Sequence, residues 1–154
     1  MARALVFLLL AVALAPPAAS AHSHKKKGLE IVHPWTPATT EKTAATTPVF
    51  MKIKNAGAAD RLLRASTPVA ASVTLHEAVA ADASQAAKPV AAIVIGAGAD
   101  VEFVRNGPHL LLSGLKKRLD AYDTFKLTLV FEKAGSMVVE VAVEEATTVE
   151  PHKH

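Results

Sequence analysis

Residues 125–143 read FKLTLVFEKAGSMVVEVAV. Phe125, Leu127, Leu129 and Phe131 alternate with Lys126, Thr128 and Val130, the period of two that turns one face of a strand to a core and the other to water. Lys133-Ala134-Gly135 then supplies turn residues, and a second apolar run, Met137–Val143, follows. The same alternation returns in Val49, Met51 and Ile53 against Phe50, Lys52 and Lys54. Outward from these two segments, strands are expected at Leu29–Val32, Pro48–Lys54, Leu62–Ser66, Ser72–Glu77, Val90–Ile95, Asp100–Phe103, His109–Leu115, Phe125–Phe131 and Met137–Val143. Asn55-Ala56-Gly57, Gly96-Ala97-Gly98 and Asn106-Gly107-Pro108 mark reversals between them. Short strands with frequent turns predict an all-β antiparallel sandwich or barrel. The alanine-rich stretch Ala78–Ala87 suits a helical turn by propensity and, lacking larger apolar residues, suits a loop equally.

The chain has 154 residues, 51% hydrophobic, 20% charged and only 5% aromatic, the measure of one ordinary domain. It contains no cysteine, which excludes disulfides, thiolate metal sites, iron–sulfur clusters and cysteine nucleophiles. Seven histidines and three methionines are left for soft or borderline chemistry.

Residues 1–21 have the three-part layout of a secretory signal peptide: Arg3, an apolar run from Ala4 to Ala15, then Pro16-Pro17 and small residues ending in Ala19-Ser20-Ala21. The apolar run is shorter than the about 20 residues a membrane-spanning helix needs, so no stable membrane insertion is expected after cleavage. On a Gram-negative reading the expected destination is the periplasm, with the mature chain expected to begin at His22. Without Arg3, 16 basic residues face 14 acidic ones, a mature charge of +2 that is too small and scattered for a nucleic-acid footprint. The domain plan is a signal peptide (1–21), a His/Lys-rich mobile arm (22–28), a β-sandwich (29–146) and a His-bearing tail (147–154).

No phosphate-binding glycine loop, HExxH, GxSxG or paired carboxylates occur, and Ser113 in Leu112-Ser113-Gly114 is no nucleophile elbow, so a non-enzymatic role is expected. The notable side chains are His76, which ends a strand and precedes Glu77, and His109, which starts one after Asn106-Gly107-Pro108. Ligand sites on β-sandwiches gather where loops meet strand ends, and neutral imidazole binds copper, zinc and iron. Glu77, beside His76, is a candidate additional oxygen ligand, with a solvated surface acid as the other reading. Met51 and Met137 lie within β-patterns and are expected in the core, and His33, beside Pro34-Trp35, is expected to be structural.

Val32-His33-Pro34-Trp35, Pro48–Asn55, Asp60-Arg61-Leu62-Leu63, Val73-Thr74-Leu75-His76-Glu77, Gly107–Leu115 and Leu127–Gly135, in this order, resemble the periplasmic copper chaperone PCu(A)C family over about residues 29–143. The resemblance implies a cupredoxin-like β-sandwich that binds Cu(I) and delivers copper to cytochrome oxidase. The family's motif is a His, a Met 11 positions later, and a His-x-Met whose His lies 22 positions beyond. His76 to His109 spans 33 positions, the sum of these intervals, but Ala87 and Leu111 stand where the family has methionine. Thioethers favour Cu(I) while imidazole also serves Cu(II) and Zn(II), so a weaker, less selective Cu(I) site is expected.

The tails carry further imidazoles. A mature start at His22-Ser23-His24 offers an α-amine, two backbone nitrogens and the His24 ring to a square-planar Cu(II) or Ni(II), and His152-Lys153-His154 adds two more rings. The sequence thus predicts a periplasmic copper chaperone or copper-homeostasis protein with His76, His109, His22, His24, His152 and His154 as metal ligands and Zn(II) or Ni(II) as alternative ions. Metal would pass by ligand exchange to a copper-accepting protein such as a cytochrome oxidase subunit or another copper chaperone. The alternative is a β-sandwich interaction module with a degenerate copper site.

Overall fold

The computed structural model describes residues 24–39, 46–78 and 87–146. They form eleven strands: β1 (His24–Lys26), β2 (Leu29–Pro37), β3 (Thr46–Asn55), β4 (Asp60–Ser66), β5 (Ala70–His76), β6 (Pro89–Val90), β7 (Ile93–Ile95), β8 (Asp100–Phe103), β9 (His109–Leu115), β10 (Thr124–Phe131) and β11 (Gly135–Glu144). Their order is β6-β5-β9-β3-β2-β11-β10-β4-β7, with β1 added to β2 and β8 to β3. Every pairing is antiparallel except β11 on β2, where Ala142, Val143 and Glu144 run parallel to Trp35, Thr36 and Pro37. The result is a barrel-like all-β sandwich. Among the described residues no helix is long and apolar enough to cross a membrane.

Alternation builds this architecture. Phe125, Leu127, Leu129 and Phe131 of β10 and Met137, Val139, Val141 and Val143 of β11 are buried, while their neighbours in sequence face outward. Leu129 lies opposite Met137 and Phe131 opposite Gly135, so the connection is Glu132-Lys133-Ala134 and Gly135 opens the return strand. Gly135 has φ 74°, a left-handed conformation that glycine adopts without Cβ strain and that suits a three-residue hairpin. The buried Asp60 carboxylate clamps this hairpin to β4, accepting backbone N–H bonds from Arg61 (2.7 Å), Lys133 (2.9 Å) and Ala134 (2.9 Å). Beside the Asp60↔Ile95 pair, the Asn55 amide donates to Ala58 O and Gly96 O and its Oδ1 accepts from Gly57 N, joining the β3–β4 turn to the loop after β7.

Two expectations are corrected. The segment Val90–Ile95 is not one strand: Val90 pairs with Leu75 of β5, whereas Ile93–Ile95 pair with β4, so the chain crosses from one edge to the other between them. The arm at 22–28 is not free along its length. His24, Lys25 and Lys26 pair with Ile31, Glu30 and Leu29, and the Lys26 and Lys27 ammonium groups donate to Ser136 O and Lys133 O. Residues 27–28 make a tight turn that folds this segment onto β2, a pairing hidden in the sequence by its lysine-rich composition. The signal segment, residues 22 and 23, most of Ala78–Ala87, and the tail from 147 lie outside the described residues.

β2 runs past its expected end at Val32. One extra residue is accommodated at His33-Pro34 between the pairs Val32↔Lys52 and Trp35↔Phe50, and His33 takes φ 48° there. Such a bulge bends the strand and releases Pro34 from donating to the ladder. The exposed His33 ring bonds Glu144 through Nε2 (2.8 Å) and lies beside Trp35, in keeping with a structural role.

Candidate metal centre

β5 and β9 are adjacent and antiparallel, and their register sets the site. Leu75 faces Leu110 and Val73 faces Leu112, with Leu75, Leu110 and Leu112 buried in the core. Because side chains alternate, Thr74 and His76 of β5 and His109 and Leu111 of β9 occupy the opposite, outer face. His76 pairs directly with His109, and Thr74 with Leu111. Two histidines 33 positions apart in sequence thus become cross-strand neighbours, half-buried, with ring centroids 5.2 Å apart and planes inclined by only 12°.

Each ring is oriented by a backbone carbonyl. His76 Nδ1 lies 3.1 Å from Ala87 O, and His109 Nδ1 lies 3.0 Å from Gly107 O. A carbonyl oxygen only accepts, so both Nδ1 atoms carry the hydrogen and both neutral rings present an Nε2 lone pair as donor atom. A backbone acceptor on the far nitrogen is the usual support of a metal-ligating imidazole. Two metal–nitrogen bonds of about 2 Å span at most about 4 Å between nitrogens, which is the separation a shared ion requires of the two Nε2 atoms.

Among the described residues no group of three or more His, Asp or Glu side chains converges, so Glu77, exposed just past β5, does not complete a three-residue set with the histidines. Met51 and Met137 are 3% and 5% exposed, in the core as expected, and supply no thioether to this face. His24 sits on β1, separated from β9 in the sheet order by β2 and β3, and its Nε2 is buried without a hydrogen-bond partner among the described residues. His22, His152 and His154 lie outside the described residues.

Sequence reasoning missed three groups at this site: the carbonyls of Ala87 and Gly107, and Thr74, whose Oγ1 lies 2.9 Å from His76 Nε2. Thr74 was findable, since a residue two before His76 on a strand shares its face. The carbonyls were not, because backbone orientation in loops leaves no mark on composition.

Comparison with known proteins adds the lineage. The model of a family described as "Putative lipoprotein LpqE-like" matches residues 29–143. "Putative lipoprotein Lxx21020" of Leifsonia xyli subsp. xyli is 29% identical over 134 residues, covering 84% of this chain and 78% of that protein. Among solved structures, the copper-bound PCuAC domain from PmoF2 is 28% identical with a TM-score of 0.69, covering 80% of this chain and 98% of that one. The apo PmoF2 PCuAC domain is 27% identical with a TM-score of 0.70, covering 84% and 99%. The Cu(I) form of DR1885 from Deinococcus radiodurans, 24% identical with a TM-score of 0.63 over 83% of this chain and 84% of that one, shares the fold. The chain therefore has the all-β, cupredoxin-like fold of PCuAC domains.

Proposed function

The chain belongs to the LpqE-like family, and from that premise we propose that it is an exported copper carrier whose cargo is held between His76 and His109. The observation that carries this reading is the directly opposed, stacked histidine pair, each ring tied through Nδ1 to a carbonyl and offering Nε2. Its likeness to a copper-bound PCuAC domain at 28% identity supports copper as the cargo. The role is binding and transfer rather than catalysis. Two half-exposed imidazoles make an open site, which takes up and releases an ion where a closed four-ligand site would retain it. Ala87 and Leu111 stand where the family resemblance expects thioethers, so the donor set is imidazole alone and selectivity for Cu(I) over Cu(II) or Zn(II) is reduced.

The recipient is a copper-accepting protein with more or softer ligands, a cytochrome oxidase subunit or another copper chaperone. The signal-peptide layout of residues 1–21 supports delivery to the periplasm. Cu(I) and Cu(II) competition titrations on wild type and on His76→Ala/His109→Ala test the assignment. Loss of affinity of about tenfold or more is expected in the double variant. Affinity indifferent to both substitutions, but lost on deleting residues 22–27 and 151–154, would transfer the role to the histidine tails. Indifference to all of these changes favours an interaction module without metal delivery.

A further inference from the structure

We propose that the Thr74 hydroxyl is a latch on the copper site: it caps the His76 Nε2 lone pair in the metal-free protein, is displaced when metal binds, and returns as metal leaves. The inference rests on the reading of His76 and His109 as the copper ligands. Ala87 O, at 3.1 Å, requires the hydrogen on His76 Nδ1. The neutral ring then has only a lone pair at Nε2, so in the 2.9 Å contact with Thr74 Oγ1 the hydroxyl is the donor. That lone pair is the one a metal would use, and hydroxyl and metal therefore compete for the same atom.

The two ligands are unequal for this reason. His109 is oriented by Gly107 O in the same way, yet among the described residues its Nε2 has no hydroxyl partner. Metal arrives first at His109 and engages His76 only after Thr74 turns away; on transfer, His76 is released first and recapped. The motion required is small. Thr74 is exposed on the outer face of β5, and rotation about its single χ1 bond moves the hydroxyl between staggered positions without moving the strand. Ring orientation does not depend on Thr74, because the Ala87 carbonyl already supplies it. The hydroxyl therefore lowers affinity and assists release.

Thr74→Val removes the donor and keeps the β-branched shape suited to a strand, while Thr74→Ser keeps the donor. Anaerobic Cu(I) titration against a chromophoric chelator, with stopped-flow transfer to the same chelator, reads both affinity and release. Thr74→Val is expected to tighten Cu(I) binding about two- to tenfold, the range that one net intramolecular hydrogen bond allows, chiefly through slower release. Thr74→Ser is expected to match wild type. In the metal-free protein, the 15N resonance of His76 Nε2 should move in Thr74→Val and that of His109 Nε2 should not. Unchanged or weaker binding by Thr74→Val, with binding still lost in His76→Ala/His109→Ala, overturns the latch and leaves the copper site standing. Binding insensitive to the double alanine variant overturns the copper site itself and with it the role of Thr74 in copper exchange. An unmoved His76 Nε2 resonance overturns the hydrogen bond.

Discussion

Asp60→Asn tests the clamp that holds the β10–β11 hairpin to β4. Asp60 is 5% exposed, and its two oxygens accept three backbone N–H bonds, from Arg61 and Lys133 at Oδ1 and from Ala134 at Oδ2. Burial acts to raise its pKa, but the N–H groups of Lys133, Arg61 and Ala134 and the Lys133 charge outweigh it and hold the carboxyl below its ordinary value of 3.8. Asparagine keeps one acceptor oxygen, now uncharged, and sets an NH2 group against one backbone N–H. Hydrogen bonds to a charged group contribute about 1.5–3 kcal/mol each, and a buried donor left unpaired costs about 1–3 kcal/mol. One bond lost and two weakened amount to about 2–4 kcal/mol at pH 7, a large share of the about 5–15 kcal/mol that holds a domain together. Urea denaturation from pH 7 to pH 2 measures it. A depressed folded-state pKa stabilises fully above the unfolded value, near 3.8, and that stabilisation is lost as pH falls through the folded value. Protonated Asp60 is nearly isosteric with asparagine, so the two proteins should differ most at neutral pH and converge in acid. A gap that stays constant down to pH 2, or no gap at pH 7, would refute the reasoning.

Three further outcomes follow from the same geometry. Leu111→Met, on the outer face two residues past His109, should raise Cu(I) affinity about tenfold or more while leaving Zn(II) affinity nearly unchanged, at a stability cost below about 1.5 kcal/mol; equal gains for both ions would contradict the imidazole-only donor set. Gly114→Ala places a Cβ 2.9 Å from the Ala71 Cβ at a residue with φ 65°, so it should cost about 1–3 kcal/mol in urea denaturation and shift the His76 and His109 ring resonances through the β5–β9 ladder. Leu129→Ala, at a fully buried position of β10, should cost about 2–5 kcal/mol by calorimetry with copper affinity unchanged at 25 °C; a loss of affinity there would mean that the site depends on core packing well away from β5 and β9.

Eight of the nine expected strands are recovered in position, because alternation is a local property. Whether Leu127 or Lys126 meets the core is written in each residue's own polarity and its parity along the strand. Errors arose where a run had to be divided between partners, as in Val90–Ile95, or where pairing prevailed over composition, as in His24–Lys26. The site divides in the same way. The spacing of His76 and His109, and the alanine and leucine at 87 and 111, are visible in the sequence alone.

What the chain alone determined, then, is the all-β class, the place of most strands, the lack of thiol chemistry and the identity of the two candidate ligands. Tertiary structure decided that these histidines lie directly opposite each other, that carbonyls of Ala87 and Gly107 select which nitrogen carries the hydrogen, and that Thr74 caps only one of the pair. The physical reason is that side-chain direction along a strand repeats every two residues, whereas strand partner and register are settled by burial and hydrogen bonding among segments distant in sequence. A shift of one residue between β5 and β9 would keep every strand in place and still part His76 from His109.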